Sequence, residues 1–409
     1  MKILFVHEKC GYFGGVEQNV ADSAEGLRGR GHACTLAYGG VTERDPDGYA
    51  ALFEGCFRCP ELGLGGPDRA GFFEEVLRRV GPDVVYFHKV AELPSHPLPG
   101  ARVVRMVHDH DLCCPRRHKY FALSGRVCRH RAGWRCWADG AFLRRDRASW
   151  AGFTLARIGR QVQEMRRNHS LDRVLVGSRF MREELLQNGF PPEKVRILPP
   201  VVRMGDRRPS AVPSEPRILY VGQLIRGKGV DLLLHAMQKV SCEFTALIAG
   251  EGNARRELEA LCQGLGLAGR VRFLGWVGHE GVGRLYSWAK VVAVPSRWPE
   301  PFGMVGIEAM RHGRAVVAFD VGGIPDWLDH GVTGLLAPEQ DTTALAQSLE
   351  RALTDTELAV RLGRNAHERT RARYSFEGYL DRLESHLCGG WSDELDLVNI
   401  EMNGGHSEP

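Results

Sequence analysis

Pro295-Ser-Arg-Trp-Pro-Glu-Pro-Phe-Gly-Met-Val-Gly-Ile-Glu308 is the stretch on which the fold turns. The apolar run Val291–Val294 before it reads as a short strand buried on both faces, and residues 303–312 carry helical periodicity. Pro299 and Pro301 keep Glu300 out of any helix, so Glu300 belongs to the connecting loop and Glu308 to the helix. Strand, loop and helix in this order make the unit of an open parallel sheet, where ligands bind in the crevice beyond the carboxyl ends of the strands. The first-turn N–H groups of such a helix lack partners within it and favour anionic groups there. Two carboxylates in that place suit the hydroxyls of a sugar.

Composition sets the outer limits. A chain of 409 residues is long for one core, and two domains are expected. Hydrophobic content of 43% and charged content of 25% are those of a globular protein in water. No apolar run approaches the roughly 20 residues that cross a bilayer. Residues 1–7 have too short an apolar run for a signal peptide before Glu8 and Lys9 interrupt it, so they read as a first strand in a cytosolic protein. The 11 cysteines, odd in number and without the spacing of a secreted disulfide scaffold, are expected to be mostly reduced there. The net charge of +4 is uneven: residues 102–167 hold 16 Lys and Arg against 5 Asp and Glu, a balance of +11 that leaves −7 for the remainder.

Strand and helix patterns alternate along the chain. Residues 2–7, 33–38, 83–88, 102–108, 173–178 and 195–198 read as strands, and 17–29 and 179–188 as helices, the second capped by Ser178. Gly11-Tyr-Phe-Gly-Gly-Val-Glu17 joins the first strand to the first helix, where Gly14 and Gly15 let a phosphate approach backbone N–H groups. Residues 199–216, rich in Pro, Arg and Ser, have the character of a linker. A second series opens with a strand at 217–221, the loop Gly222-Gln-Leu-Ile-Arg-Gly-Lys-Gly229 and a helix at 230–240; Arg226 and Lys228 can bring cations to a diphosphate there.

Glu300 and Glu308 resemble the Glu-x7-Glu signature of the retaining glycosyltransferases of family 4, the glycogen-synthase-like or group 1 glycosyltransferases. Ala315-Val-Val-Ala-Phe-Asp-Val-Gly-Gly-Ile-Pro-Asp326 and Gly331-Val-Thr-Gly-Leu-Leu336 look like that family's next strand, glycine turn and closing loop, in the expected order. Gly14-Gly-Val-Glu17 is similar to its first glycine loop, residues 222–229 to its Gly-Arg-Leu…Lys-Gly element with Gln223 in place of the Arg, and residues 271–277 to its segment beside the nucleotide base. The resemblance implies an α/β protein of GT-B fold, two Rossmann-like domains facing across a cleft. An acceptor-binding domain would take residues 1–205, a linker 206–216, a nucleotide-sugar-binding domain 217–374, and a helix crossing back to the first domain 375–388. Residues 389–409 lack periodicity and are expected to be disordered.

What the family resemblance implies for function is transfer of a sugar from a nucleotide-diphosphate sugar to an acceptor hydroxyl with retention. The acceptor would be a glycan or lipid-linked molecule of polysaccharide biosynthesis. Glu300 would hold donor sugar hydroxyls and Glu308 the ribose. The amides of Phe302, Gly303, Met304 and Val305 would meet the sugar or phosphate. Lys228 carries over directly to the departing diphosphate, and Arg226 would supply the guanidinium that Gln223 lacks. Gly14 and Gly15 would face the donor diphosphate or the acceptor, with Gly222 in the diphosphate loop, backbone near Trp276 and Val277 at the base, and His108 close to the sugar. No cofactor is required. Asp109-His-Asp111 has the spacing of a metal-binding Asp-x-Asp pair but lies in the His108 segment of a GT-B pattern, which argues against metal-dependent transfer.

Residues 108–168 form an unusual Cys-rich basic segment. Cys113, Cys114, Cys128 and Cys136 are candidate ligands for a structural zinc or iron–sulfur centre; the alternative, favoured by the absence of a CxxC pair among them, is an ordered basic loop with buried thiols. Cys56-Phe-Arg-Cys59 has that spacing without the setting of a redox site, and both read as structural. Residues 142–167 mix Arg144, Arg145, Arg147, Arg157, Arg160, Arg166 and Arg167 with Trp150, Phe153, Leu155 and Ile158, the pattern of a basic amphipathic helix suited to an anionic membrane surface. The protein would then be peripheral at the inner membrane face. No nucleic-acid motif is present, so nucleic acid is not an expected partner. Two other readings stand beside the transferase: a non-catalytic nucleotide-sugar or membrane-binding protein, and another enzyme of this fold, such as a nucleotide-sugar epimerase or a phosphorylase.

Overall fold

The computed structural model describes residues 1–63, 71–90, 92–93, 100–121, 125–145, 153–155, 158–201, 203 and 208–390. The chain divides into two compact units, one of Met1–Pro115, Arg131–Met204 and Phe376–Pro409, the other of Arg116–His130 and Gly205–Ser375.

The first unit is built on β1 (Lys2–Cys10), β2 (Ala33–Val41), β3 (Gly55–Arg58), β4 (Val84–Phe87) and β5 (Arg102–Val107). After β6 (Leu143–Arg145) and β7 (Phe153–Leu155), which pair with each other, β8 (Arg173–Val176) and β9 (Val195–Ile197) complete the main sheet. Its order is β3-β2-β1-β4-β5-β8-β9, with every pairing parallel. Each residue of Val84–Phe87 and Arg173–Val176 is buried, the signature of strands covered on both faces rather than one. Leu4, Val6, Val85, Phe87, Val107 and Val176 form the core with Phe73 and Val76 of the helix Phe72–Val80 and Met181 and Leu185 of the helix Arg179–Gln187. The Ser178 hydroxyl caps that last helix by accepting from the Met181 amide at 3.1 Å. The chain leaves β1 toward β2 and β3 on one side and resumes at β4 on the other, so the crevice of this sheet opens between β1 and β4.

The second unit repeats the plan with β10 (Arg217–Val221), β11 (Thr245–Ala249), β12 (Val271–Gly275), β13 (Val291–Val294), β14 (Ala315–Phe319) and β15 (Gly334–Ala337), all parallel in the order β12-β11-β10-β13-β14-β15. Both β13 and β14 are buried throughout. The chain reverses its direction of travel between β10 and β13, which places this unit's crevice there.

The structure extends or revises several sequence expectations. β1 runs three residues past His7, and β3, which carries Cys56, adds an edge strand that the pattern did not reveal. The helix Phe376–Cys388 belongs to the first unit, where the Tyr379 hydroxyl meets Ser23 Oγ at 2.8 Å and Asn19 Nδ2 at 3.2 Å. Arg30 joins that helix through Glu377, Asp381 and Glu384. Residues 116–130, assigned by sequence to the first domain, fall in the second unit as a turn bridging Tyr120 to Val127; the Val127 amide donates to Glu339 Oε1 at 3.3 Å and Gln340 Nε2 to the Gly125 carbonyl at 2.9 Å. The long basic helix expected over 142–167 is corrected. Residues 143–145 and 153–155 pair as antiparallel strands, and only Ile158–Asn168 is helical. Alternating Arg and apolar residues satisfy both periods at that length, and cross-strand pairing decides. Arg147, Trp150 and Arg157 lie outside the described residues, as do part of the linker, at 206–207, and the tail from residue 391 on.

Candidate active site

Beyond the crevice strands of the second unit, two loops interlock. The loop after β10 tightens into a single 3-10 turn, Arg226–Lys228, before the helix Val230–Gln238, and the loop after β13 runs from Pro295 to the helix Met304–Arg311. The Gly227 carbonyl accepts from the amides of Arg297 at 2.9 Å and Trp298 at 3.0 Å. Gly229, at φ +67°, approaches so closely that a Cβ there would lie 1.9 Å from the Pro295 carbonyl oxygen. Arg297, itself buried, grips Asp231 with two nitrogens at 2.5 and 3.2 Å and donates to the Arg226 carbonyl at 2.9 Å. The fork geometry of a guanidinium against a carboxylate fixes direction as well as distance. The turn after β14 closes on the same loop: the Gly323 amide donates to the Glu300 carbonyl at 2.7 Å, and a Cβ on Gly322 would stand 2.4 Å from the Glu300 amide nitrogen.

This frame holds Glu300 at 3% exposure with Lys228 Nζ 2.7 Å from its Oε1. The Ser296 hydroxyl donates to the same oxygen. Burial alone would push this carboxyl up, but the Lys228 ammonium and the hydrogen bonds outweigh it, so the group is held below its usual range and stays ionised. Lys228 Nζ also stands 4.9 Å from the centre of the Trp298 ring. Eight residues on, Glu308 is half-buried in the helix and its Oε2 accepts from the buried Tyr286 hydroxyl at 3.0 Å. Burial and the adjacent Glu308 drive the Tyr286 phenol upward, so it remains a donor. Trp327, fully buried, donates from Nε1 to the Phe302 carbonyl at 2.5 Å and anchors the loop at the helix's N-terminus, where Gly303, Met304 and Val305 stand. Their first-turn amides face the region where anions are stabilised.

The remaining donor candidates of this unit sit on neighbouring turns. Gly222 follows β10, its amide donating to the Ala249 carbonyl at 3.0 Å, and Val277 follows the edge strand β12, half-buried. Arg226 enters the frame through its backbone carbonyl, while its side chain is exposed. Of the two cations proposed for the diphosphate, Lys228 is the one that the structure sets against Glu300.

The first unit holds a second cluster beyond β1, β4 and β5. The Glu17 carboxylate accepts from the Gly14 amide at 2.8 Å, reaching back across the start of the helix Gly15–Gly29. Buried His7 lies 3.8 Å from that carboxylate; desolvation holds its imidazole at about 4 and pushes Glu17 up. His108 follows β5 and lies with its Nε2 3.0 Å from Nδ1 of His88, which follows β4. Burial holds His108 down to about 3 and His88 well below the ordinary range, so both are neutral near pH 7. Beside them Lys89 pairs with Asp109 at 3.0 Å and reaches Asp111 at 4.0 Å. Desolvation would lower the Lys89 ammonium, but these carboxylates and Glu8 raise it above its usual value.

Sequence reasoning named His108, Gly14 and Gly15 here but missed His88, Lys89 and the carboxylate of Glu17. In the second unit it missed Ser296, Arg297, Asp231 and Tyr286. One signal was available, since His88 and His108 both close strands of one parallel sheet. Cys113, Cys114 and Cys136 belong to the first unit and Cys128 to the second, and among the described residues no three His, Cys, Asp or Glu side chains gather as metal ligands. Cys56 and Cys59 are pushed up to about 12, chiefly by burial, as suits unreactive structural thiols.

The model for Glycosyltransferase Family 4 matches residues 13–205 and that for glycosyl transferases group 1 residues 205–369. Alpha-D-kanosaminyltransferase of Streptomyces kanamyceticus is 36% identical over 175 residues, 42% of this chain and 45% of that protein. D-inositol 3-phosphate glycosyltransferase of Mycobacterium sp. (strain KMS) is 31% identical over 273 residues, 58% of each. The chain thus spans about half the length of the curated relatives it matches. Among solved structures, Anabaena Alr3699/HepE in complex with UDP aligns at a TM-score of 0.70 and 20% identity, over 95% of this chain and 100% of that one. Sucrose-phosphate synthase of Thermosynechococcus elongatus aligns at 0.71 and 23%, over 94% and 98%. These two share the GT-B fold of paired Rossmann-like domains. With that fold, and with two matched domains that run without a gap from residue 13 to residue 369, the chain belongs to the family 4, group 1 glycosyltransferases.

Proposed function

We propose that the protein transfers a glycosyl group from a nucleoside-diphosphate sugar to an acceptor hydroxyl with retention at the anomeric carbon. The observation that carries this reading is the Lys228–Glu300 pair, a cation and a desolvated, ionised carboxylate 2.7 Å apart at the crevice. Glu300 takes the donor's sugar hydroxyls, Glu308 the ribose, and Lys228 the diphosphate. In the reaction the bond from the anomeric carbon to the β-phosphate oxygen breaks while the acceptor oxygen bonds to that carbon on the same face. The hydroxyl proton passes to the departing phosphate oxygen. Lys228 stabilises the charge that grows there, the kind of contact whose removal costs about 10²–10³ in rate. Support for the donor class comes from relatives whose names describe glycosyl transfer and from the Anabaena protein crystallised with UDP and with UDP-glucose. A thermal-shift panel of UDP-, GDP-, ADP- and TDP-sugars tests it. One donor should stabilise the wild type, and Glu308→Ala should lose most of the shift. Stabilisation by none, together with no release of nucleoside diphosphate from any donor, rejects the reading.

For the acceptor side, a lipid-linked molecule at an anionic membrane surface is favoured by one patch of the first unit. Trp134 is 73% exposed, Trp137 55%, and the cross-strand partners Leu143 and Leu155 48% and 74%. The described residues of 131–167 include seven Arg against two acidic residues. Aromatic and aliphatic side chains set among guanidinium groups complement anionic headgroups over an apolar layer. No helix among the described residues is long and apolar enough to cross a membrane. Binding to phosphatidylglycerol-containing vesicles at low salt should exceed binding to phosphatidylcholine alone and weaken in a Trp134→Ala/Trp137→Ala variant. Equal binding to the two removes the membrane from the account.

A further inference from the structure

The two histidines that close β4 and β5 carry an inference about which ring nitrogen of His108 is offered to a ligand. His88 is 1% exposed. Its ring stacks on Phe5 at 5.7 Å and on His108 at 5.3 Å, and Tyr86 lies 4.2 Å away at a tilt. Its amide donates to the Val6 carbonyl at 2.9 Å, which ties the backbone to β1. Held on these sides, the His88 imidazole has, among the described residues, one polar contact, Nδ1 to His108 Nε2, and its own Nε2 is buried without a hydrogen-bond partner among them. The His7 ring is 6.4 Å away between centres.

A neutral imidazole has one N–H and one lone pair. In one arrangement His88 Nε2 carries the proton, and a buried N–H is left unpaired. In the other, His88 Nδ1 carries it and donates to His108 Nε2. Orphaned buried N–H groups are rarer than under-satisfied acceptors, which selects the second. The proton of His108 must then sit on Nδ1.

We propose that His88 is a positioning residue that holds His108 in a single neutral tautomer, with Nδ1–H presented as a hydrogen-bond donor to a substrate hydroxyl. His108 is then a fixed donor and not the base that accepts the acceptor's proton. This rests on the sugar-transfer reading for the identity of the hydroxyl but not for the tautomer. The charged and titratable groups that bear on His108, namely His7, His88, Lys89, Arg105 and Asp109, are mostly cationic or neutral, and with burial they keep it uncharged. It follows that the proton leaving the acceptor has no resting place on this pair, in keeping with its transfer to the phosphate oxygen.

Histidine-selective ¹⁵N NMR, with His108 assigned by a His108→Asn variant, reads the tautomer directly. The expected result is protonated Nδ1 and unprotonated Nε2 on His108, unchanged from pH 5.5 to 8. His88→Phe keeps the ring packing but removes the contact, and should give mixed tautomers. His88→Asn places an amide N–H where Nδ1 stands and should restore the single form. On the best donor of the panel, His88→Phe should lower kcat about tenfold with donor KM within about twofold, and His88→Asn should recover most of the loss. A His108 protonated on Nε2, a His108 that titrates between pH 6 and 7, or a wild-type tautomer in His88→Phe overturns the proposal. A chain that shows the expected tautomers yet transfers no sugar leaves the His88 role standing and removes only the transferase reading.

Discussion

Beyond β10 and β13 the second unit buries one ionised carboxylate against one cation, and beyond β1, β4 and β5 the first unit buries neutral imidazoles next to a lysine already held by two aspartates. Both clusters occupy the same place in the same kind of sheet, the crevice where the chain changes its direction of travel. What differs is the charge that each leaves for a ligand. On the proposed reading, Lys228 has in Glu300 a partner that a donor's hydroxyls would share, which would let it turn toward a diphosphate. Lys89 is balanced by Asp109 and Asp111, and the imidazoles of His7, His88 and His108 in the same cluster are uncharged near pH 7. Topology fixes where a ligand can sit, and side chains decide whether the site handles phosphate or hydroxyl.

Four changes test that contrast. The largest effect should come from Lys228→Ala, which removes the cation from the phosphate side; donor turnover should fall about 10²–10³-fold, measured as release of nucleoside diphosphate. With Lys228 gone, only the hydrogen bonds oppose the burial of Glu300, and its carboxyl should rise from the lowered value it holds in the wild type. Acid should separate the units next. His7 at about 4, His108 and His386 at about 3, and His88 below its usual value all belong to the first unit. In the unfolded chain each titrates near 6.5. Between pH 6.5 and 5 the unfolded state therefore takes up protons that the folded state refuses, and stability falls, by at most about 1.4 kcal/mol per pH unit for each histidine. Glu17, raised by burial, opposes this as pH falls through its raised value, because the folded state takes its proton first. The net loss should be a few kcal/mol, concentrated in the first unit, as urea unfolding followed by pulse-labelled hydrogen exchange would show. Glu300, held low, keeps its contribution across the same window and yields it only when pH falls through its lowered value.

Smaller effects probe the second unit's frame. Gly229→Ala sets a Cβ against the Pro295 carbonyl at a positive φ, and should cost about 1–3 kcal/mol in urea titration while weakening donor binding. Tyr286→Phe removes one hydrogen bond from Glu308, about 1 kcal/mol, and should reduce the donor-induced thermal shift a few-fold without changing kcat. An unchanged shift would mean that Glu308 does not need Tyr286 to meet the donor.

Much of the second crevice was legible because its signals are local. Val291–Val294, two prolines and a helical run fall within one short stretch, and the glycine-bearing loop at 222–229 follows its strand directly. Glu300, Glu308 and Lys228 are all placed by such neighbours. Their supports were not legible, because Ser296, Asp231 and Tyr286 act through contacts that the fold makes across 4, 66 and 22 residues of sequence to Glu300, Arg297 and Glu308. The His88–His108 pair spans 20 residues and depends on β4 lying beside β5 in parallel, which a periodicity cannot announce. The basic stretch at 142–167 misled for the opposite reason: a local helical period was there, and the pairing of Leu143 with Leu155 overrode it.

The most direct measurement is transfer of label from the donor sugar to acceptor by Glu300→Ala beside wild type, with donor affinity followed in parallel. The account predicts a fall in turnover of at least about a hundredfold with the nucleoside diphosphate itself still bound, since Lys228 and Glu308 remain. Wild-type turnover in Glu300→Ala would contradict it, and would move the chemistry away from the Lys228–Glu300 pair.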